Sequence, residues 1–259
     1  MSDGLPPGAP VLVLAMAGLW FACLVTSLVV HELGHALMAR ALGQEMNLHL
    51  AEVAHTAPNR RTEALILGAG PVLSAVQGIG FWLVWLLLAE RGGPGPTVAL
   101  MLGSLGLATA FGYLLSTPFT LRGDLGGLAR LYDWPMGLRI ALCVAGAAGL
   151  TLVARYAALG HLSTLPEDWR GLSPQAALAG AVILPWALAS PVLVWAITLK
   201  LGLFSALYPV FAGSYLLIGW LDRPDWPPAA AADPGVPQLG PAALLAAAAL
   251  VVALVLRRP

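Results

Sequence analysis

Two histidines and a glutamate within five residues give the clearest chemical signal in the sequence. The segment His31-Glu32-Leu33-Gly34-His35 has the pattern HExxH. An α-helix repeats every 3.6 residues, so His31 and His35 lie on one face, one turn apart. Two imidazole nitrogens at that spacing can bind one zinc ion, and Glu32 beside them can take a proton from water. The spacing therefore predicts a metal site with a carboxylate base.

The surroundings of this segment are those of a membrane helix. The HExxH pattern continues an apolar run that begins at Val11. Ionisable side chains at membrane depth are costly to bury and usually have a function. A purely structural role does not readily explain all three of His31, Glu32 and His35, which favours the metal site.

The composition indicates a protein that crosses a membrane several times. Of the 259 residues, 59% are hydrophobic and 10% are charged, and the mean hydropathy is +0.82. A soluble domain has roughly 25% charged and 45–50% apolar residues. The 13 basic and 13 acidic residues balance and form no basic stripe, so a nucleic-acid partner is excluded. Cys23 and Cys143 lie in apolar runs and indicate neither a disulfide framework nor a metal-binding CxxC pair.

Seven apolar stretches are candidates to cross a bilayer core of about 30 Å. They are Val11–Gly43, Ala64–Ala89, Thr97–Leu121, Ile140–Ala154, Ala176–Leu199, Leu203–Leu221 and Ala242–Leu256. The last is short and rich in alanine, so we predict an all-α polytopic membrane protein with six to seven transmembrane helices.

A short strand or hairpin is predicted directly after the first span. Met46, Leu48 and Leu50 alternate there with Asn47 and His49. Alternation of apolar and polar residues is typical of a strand with one buried face.

The basic residues predict the orientation, because cytoplasmic loops carry an excess of lysine and arginine. With seven spans and the N-terminus outside, nine basic residues are cytoplasmic: Arg40, Arg60, Arg61, Arg122, Arg130, Arg139, Lys200, Arg257 and Arg258. Four are outside: Arg91, Arg155, Arg170 and Arg223. The HExxH segment then lies toward the cytoplasmic side. Met1–Pro10 has no basic residue and does not resemble a signal peptide, and we expect a multi-pass protein of a bacterial plasma membrane.

A zinc site of this type needs a third protein ligand. The candidates in the sequence are His49, His55, Asp124, Asp133 and His161. The first and third predicted spans run in the same direction, which puts Asp124 at the depth of the two histidines. His161 falls on the opposite side, and Asp133 lies further from the apolar run. We therefore favour Asp124, and His49 or His55 is the alternative if the chain folds straight back.

Three segments together resemble the site-2 protease family of intramembrane zinc metalloproteases. The residues from His31 to Leu37 resemble the active-site helix of that family. Ala69-Gly70-Pro71 resembles the glycine–proline start of its middle core helix, and the segment from Pro118 to Asp124 resembles its third-ligand motif. The resemblance covers residues 11–130.

The resemblance implies a fold and a site. Residues 1–135 would form a catalytic core of three transmembrane helices, and residues 136–259 would add three to four helices. One zinc ion per chain would be held by His31, His35 and Asp124, with Glu32 as the catalytic residue.

The resemblance also implies an activity and a substrate. The protein would hydrolyse peptide bonds of membrane-anchored protein substrates inside the lipid bilayer. The segment with Met46, Leu48 and Leu50 would pair with an unwound stretch of substrate, because an exposed strand edge offers main-chain hydrogen bonds. The sequence specifies neither the individual substrate nor the oligomeric state.

Two other functions stay open. A catalytically inactive membrane scaffold or adaptor that binds partner helices is favoured by departures from the family pattern. Leu115 and Ser116 stand near its asparagine, and Leu125 follows Asp124 where the family has glycine. A metal carrier would need polar residues along several helices, and the later spans have almost no charged groups.

Overall fold

The computed structural model describes residues 6–49, 52–55, 57–89, 91, 94–206, 213–227 and 239–256. The longer helices of the first part are α1 (Ala9–Ala41), α2 (Arg60–Leu88), α3 (Gly95–Ser116) and α5 (Met136–Ser163), with a short α4 (Gly123–Leu131) before α5. A 3-10 turn (Glu167–Gly171) then leads to α6 (Pro174–Leu178), a π-helical turn (Ala179–Ile183) and α7 (Leu184–Ala206). Helices α8 (Tyr215–Leu221) and α9 (Leu239–Leu256) follow.

Five helices among the described residues are long and apolar enough to cross a membrane. They are α1, α2, α3, α5 and the continuous helix Pro174–Trp195, which consists of α6, the π-helical turn and the first part of α7. The prediction of an all-α membrane protein is confirmed to this extent, whereas the count of six to seven spans is not. The stretch Leu203–Leu221 includes residues 207–212, which lie outside the described residues, and Ala242–Leu256 falls in α9, which is not among the five.

Helix α1 is the central element of the bundle. It packs against α2, α3, α7 and α9, and most of its side chains are buried. A helix that is apolar on all sides needs neighbours on all sides, unlike an amphipathic surface helix. The HExxH segment is therefore carried by a largely buried helix that packs against four others.

Helix α2 has an outer face that suits contact with lipid. Its exposed side chains include Val72, Val76, Ile79, Leu83 and Leu87. An apolar face of this kind is unfavourable in water. In a bilayer it contacts acyl chains, which is consistent with the length and composition of the helix.

Small residues bring α2 and α3 close together. A Cβ atom at Gly106 would lie 2.6 Å from the backbone nitrogen of Gly78. Membrane helices commonly use such residues for close packing. The side chain of Gln77 strengthens the same junction, because its Nε2 donates to Ser27 Oγ (2.8 Å) and to the Leu102 carbonyl (3.0 Å). These two bonds join α2 to both α1 and α3.

A β-hairpin follows α1. Strand β1 (Met46–His49) pairs antiparallel with β2 (Glu52–His55), with Met46 opposite His55 and His49 opposite Glu52. The strand predicted after the first span is thus present, and β1 packs against α1. Leu50, which belonged to the predicted pattern, lies outside the described residues.

Candidate metal centre

Three side chains from two distant parts of the chain converge in the interior. The ligand atoms of His31, His35 and Asp124 all lie within 4.8 Å of one another. Asp124 Oδ2 is 2.9 Å from His31 Nε2 and 3.3 Å from His35 Nε2, and the two Nε2 atoms are 3.3 Å apart. Tetrahedral zinc with bonds of 2.0–2.2 Å separates its ligand atoms by about 3.3–3.6 Å. The cluster therefore has nearly the dimensions of a zinc site.

The second nitrogen of each histidine is held by α2. His35 Nδ1 donates a hydrogen bond to the Ile66 carbonyl (2.7 Å). That bond leaves the lone pair of Nε2 directed at the cluster, as metal-ligating histidines require. His31 Nδ1 forms a hydrogen bond with Ser74 Oγ (3.0 Å). Two imidazole nitrogens and a carboxylate oxygen converge on one point, where together they could hold a metal ion.

Glycines on both helices let α1 approach α2 closely and, at Gly70, leave room for the imidazole rings. A Cβ atom at Gly34 would lie 2.6 Å from the Ala69 carbonyl oxygen, and one at Gly70 would overlap the ring of His35. Pro71 follows inside α2, and an interior proline removes one helical hydrogen bond. The Ala69-Gly70-Pro71 segment singled out in the sequence therefore lies directly against His31 and His35.

Asp124 is positioned by a short helix that is separate from α3. Gly123, at φ +69°, reverses the chain just before it, a conformation that glycine adopts without strain. Arg139 on α5 fixes the preceding loop, because its Nε donates to the Thr117 carbonyl (2.7 Å) and its Nη2 to the Pro118 carbonyl (3.0 Å). The carboxylate thereby enters the cluster from the first turn of α4.

The carboxyl group of Asp124 is stabilised in its ionised form. Burial by itself would raise its pKa, but hydrogen bonds and charge from His31 and His35 act in the opposite direction. The net pKa lies well below the ordinary value for aspartate. The Asp124 carboxyl group is therefore ionised rather than neutral.

Glu32 is buried on the same turn of α1. Its exposed fraction is 6%, close to the 2% of His31 and the 6% of His35. It is not one of the three grouped ligands. A buried carboxylate next to a ligand but outside the ligand set is where a general base would lie.

Of the other third-ligand candidates, two lie away from the cluster and two have side chains that the structure does not describe. Asp133 is exposed and lies 4.0 Å from Arg60. His161 is buried in α5, with its ring 5.9 Å from that of Trp20. The side chains of His49 and His55, in β1 and β2, lie outside the described part of the structure.

Two residues at the cluster were not identified from the sequence. Ser74 lies one turn beyond Gly70 on α2, and this helical spacing could have suggested it. Tyr113 stacks on the ring of His31, with its hydroxyl oxygen 3.2 Å from His31 Nε2. A tyrosine near the end of an apolar span is typical of the membrane interface, so no sequence signal pointed to this contact.

The donor set can hold a metal ion. Two imidazoles, oriented by hydrogen bonds at their outer nitrogens, and a carboxylate are usual ligands for a divalent transition metal. The absence of a side chain at Gly70 leaves space for both rings. Comparison with protein-family models, with curated proteins and with solved structures finds no match for this chain.

Proposed function

We propose that this protein is an intramembrane zinc endopeptidase of the site-2 protease type. One observation carries the proposal: His31, His35 and Asp124 converge in a buried cluster, with the buried Glu32 next to His31 on the same helix. Together these are three metal ligands and a base, which are the parts of a metal-dependent hydrolase.

Zinc is the proposed metal, with one ion per chain. A set of two histidines and one carboxylate also binds iron(II) in oxygenases. The glutamate that directly follows the first histidine favours zinc, because HExxH supplies both ligands and base in zinc peptidases. Metal analysis of the purified protein distinguishes the two ions.

The side chains divide the chemistry between them. Zinc lowers the pKa of water toward about 7 and polarises a carbonyl group when it is bound. Glu32 accepts a proton from the water that attacks the scissile carbonyl carbon, forming the new C–O bond. Glu32 then gives that proton to the nitrogen as the C–N bond breaks, and the second proton of the water passes from the new carboxylic acid to the amine, so that a carboxylate and an ammonium group are released.

The proposed substrate is a membrane-anchored protein with a locally unwound transmembrane helix. A peptide bond inside a helix is shielded, so the substrate must be extended before attack. Strand β1 lies directly after the metal-binding helix and packs against it, which supports pairing with such a segment. The same proposal includes a catalytic core of residues 1–135 and an additional unit of residues 136–259. It also includes a location in a bacterial plasma membrane, with the site facing the cytoplasm.

The scaffold function predicts a different effect of the substitution Glu32→Gln on activity. An adaptor that binds partner helices would have no need for a base beside the cluster. It would retain biological activity when Glu32 is replaced by glutamine. The peptidase would lose all activity with that change while it retains the metal.

The proposed test measures metal content and cleavage on the same preparations. We expect about one zinc per chain in the wild type and a large loss in Asp124→Ala, since catalytic zinc needs three protein ligands. Asp133→Ala is the matched control, because Asp133 is exposed and away from the cluster. If Asp124→Ala retains zinc, Asp124 is not the third ligand, and His49 or His55 becomes the candidate for that role.

Cleavage is then tested with single-span membrane proteins reconstituted together with the enzyme. Mass spectrometry identifies new N-termini that the wild type produces and that Glu32→Gln does not. Metal-dependent cleavage that persists in Glu32→Gln would refute the role of Glu32. Wild-type protein that is folded but binds no zinc would favour the scaffold.

A further inference from the structure

Tyr113 brings a fourth polar group to the candidate metal centre. It lies in the last turn of α3, and its hydroxyl oxygen is 3.2 Å from His31 Nε2. The phenol ring is nearly parallel to the His31 imidazole, with 6° between the planes and 5.2 Å between the centroids. Stacking and hydrogen bonding together fix where the hydroxyl group lies.

The distance places this hydroxyl at the edge of the metal-binding position. It is 3.2 Å from a ligand nitrogen, close to the separation of about 3.3–3.6 Å between neighbouring atoms around tetrahedral zinc. Metal binding also changes the hydrogen bond. An ion on His31 Nε2 would occupy the only lone pair of that nitrogen, so the phenol O–H could no longer donate to it.

An oxygen atom in the open position of such a site would be a suitable acceptor. Three protein ligands leave the fourth position of a catalytic zinc site open for water or substrate. We propose that Tyr113 donates a hydrogen bond to the oxygen atom that occupies this fourth position. The inference rests on the proposed zinc site and adds a catalytic residue to it.

The donor has a direct role in peptide hydrolysis. Negative charge develops on the carbonyl oxygen of the scissile bond as water adds to the carbon. A fixed donor directed at that oxygen stabilises the charge, as in an oxyanion hole. The parallel stack on His31 holds the phenol in place and limits the reorganisation that this would require.

The test uses cobalt(II) as a visible probe and acetohydroxamate as an oxygen ligand, without any substrate. Tyr113→Phe keeps the stacked ring and removes the hydroxyl. Tyr156→Phe is the matched control, because Tyr156 is exposed on α5. Titrations followed by the cobalt absorption bands give the affinity for the metal and then the affinity for acetohydroxamate.

We expect Tyr113→Phe to bind cobalt as the wild type does, within about twofold, and to bind acetohydroxamate about three- to tenfold more weakly. Tyr156→Phe should match the wild type in both titrations. A thiol ligand, whose sulfur is a weak acceptor, should bind Tyr113→Phe and wild type equally. Thermal denaturation verifies that both variants are folded.

Each contrary result is distinct. Equal acetohydroxamate affinity in Tyr113→Phe and wild type would overturn the role of Tyr113 and leave the metal site intact. A second contrary result is that Tyr113→Phe loses about tenfold or more of its cobalt affinity and shows altered absorption before acetohydroxamate is added. That result would identify the hydroxyl as a metal ligand and would also overturn the donor role. Failure of the wild type to bind cobalt would overturn both the zinc site and this inference.

Discussion

The most direct test of the site geometry is to add a single methyl group at position 70 by the substitution Gly70→Ala. A Cβ atom there would lie 2.5 Å from His35 Cε1 and 2.9 Å from His31 Cε1. Ordinary van der Waals contact begins at 3.4 Å, so the His35 ring must move by about 1 Å, whereas metal ligands tolerate about 0.2 Å. Gly70→Ala should therefore displace both imidazoles from the metal.

The expected magnitude follows from this displacement. Substitution of residues that merely orient the metal ligands typically lowers metal affinity about 10–100-fold. Moving the ligands themselves should lower it by at least that amount, or about 1.4–2.8 kcal/mol. Gly68→Ala is the matched control, because a Cβ atom at Gly68, two residues earlier on α2, meets nothing within 4 Å. That change should leave zinc affinity unaltered and stabilise the helix by about 0.5–1 kcal/mol.

The assay is a zinc titration of both variants in detergent, in competition with a chelator of known affinity. Thermal denaturation without metal verifies that each variant folds. If Gly70→Ala binds zinc as tightly as Gly68→Ala, then α2 does not close over the imidazoles as the structure shows. That result would refute the reasoning from the close contact.

Two further perturbations test the third ligand and the protonation state of the site. Arg139→Met removes the donors that hold the loop before Asp124, and we expect about a tenfold loss of zinc affinity; Arg130→Met, which alters an exposed residue on α4, should cause none. Lowering the pH from about 8 to about 5 should weaken zinc binding steeply, because both imidazoles bind metal only when they are neutral and protons compete for them. Zinc affinity that does not change with pH would contradict ligation by the two histidines.

The histidine pair and the aspartate could be predicted because each depends on a simple regularity. Residues at positions i and i+4 share a helix face, and this alone brings His31 and His35 together. Asp124 was favoured because the first and third spans run in parallel. The structure brings its carboxylate to the cluster, although α4 and not the end of α3 carries it.

The supporting contacts could not be predicted, since they depend on how the helices cross. The Ile66 carbonyl, Ser74 and Tyr113 reach the histidines from α2 and α3, and no periodic pattern in the chain encodes those crossings. The boundaries of the fourth predicted span, Ile140–Ala154, were too narrow for a different reason. Charged residues ended that prediction on both sides, whereas α5 continues through them from Met136 to Ser163.

Glu32 distinguishes a peptidase from a metal-binding scaffold in physical terms. A buried carboxylate is unfavourable unless its interactions compensate for the lost hydration, and binding of the metal by three other groups does not require it. A base should be required for activity but not for metal binding or folding. We therefore expect Glu32→Gln to fold and to bind zinc as the wild type does, and to lose all cleavage. A lower melting temperature with zinc binding and cleavage both retained would make Glu32 a structural residue, and the site would then be a metal centre without its base.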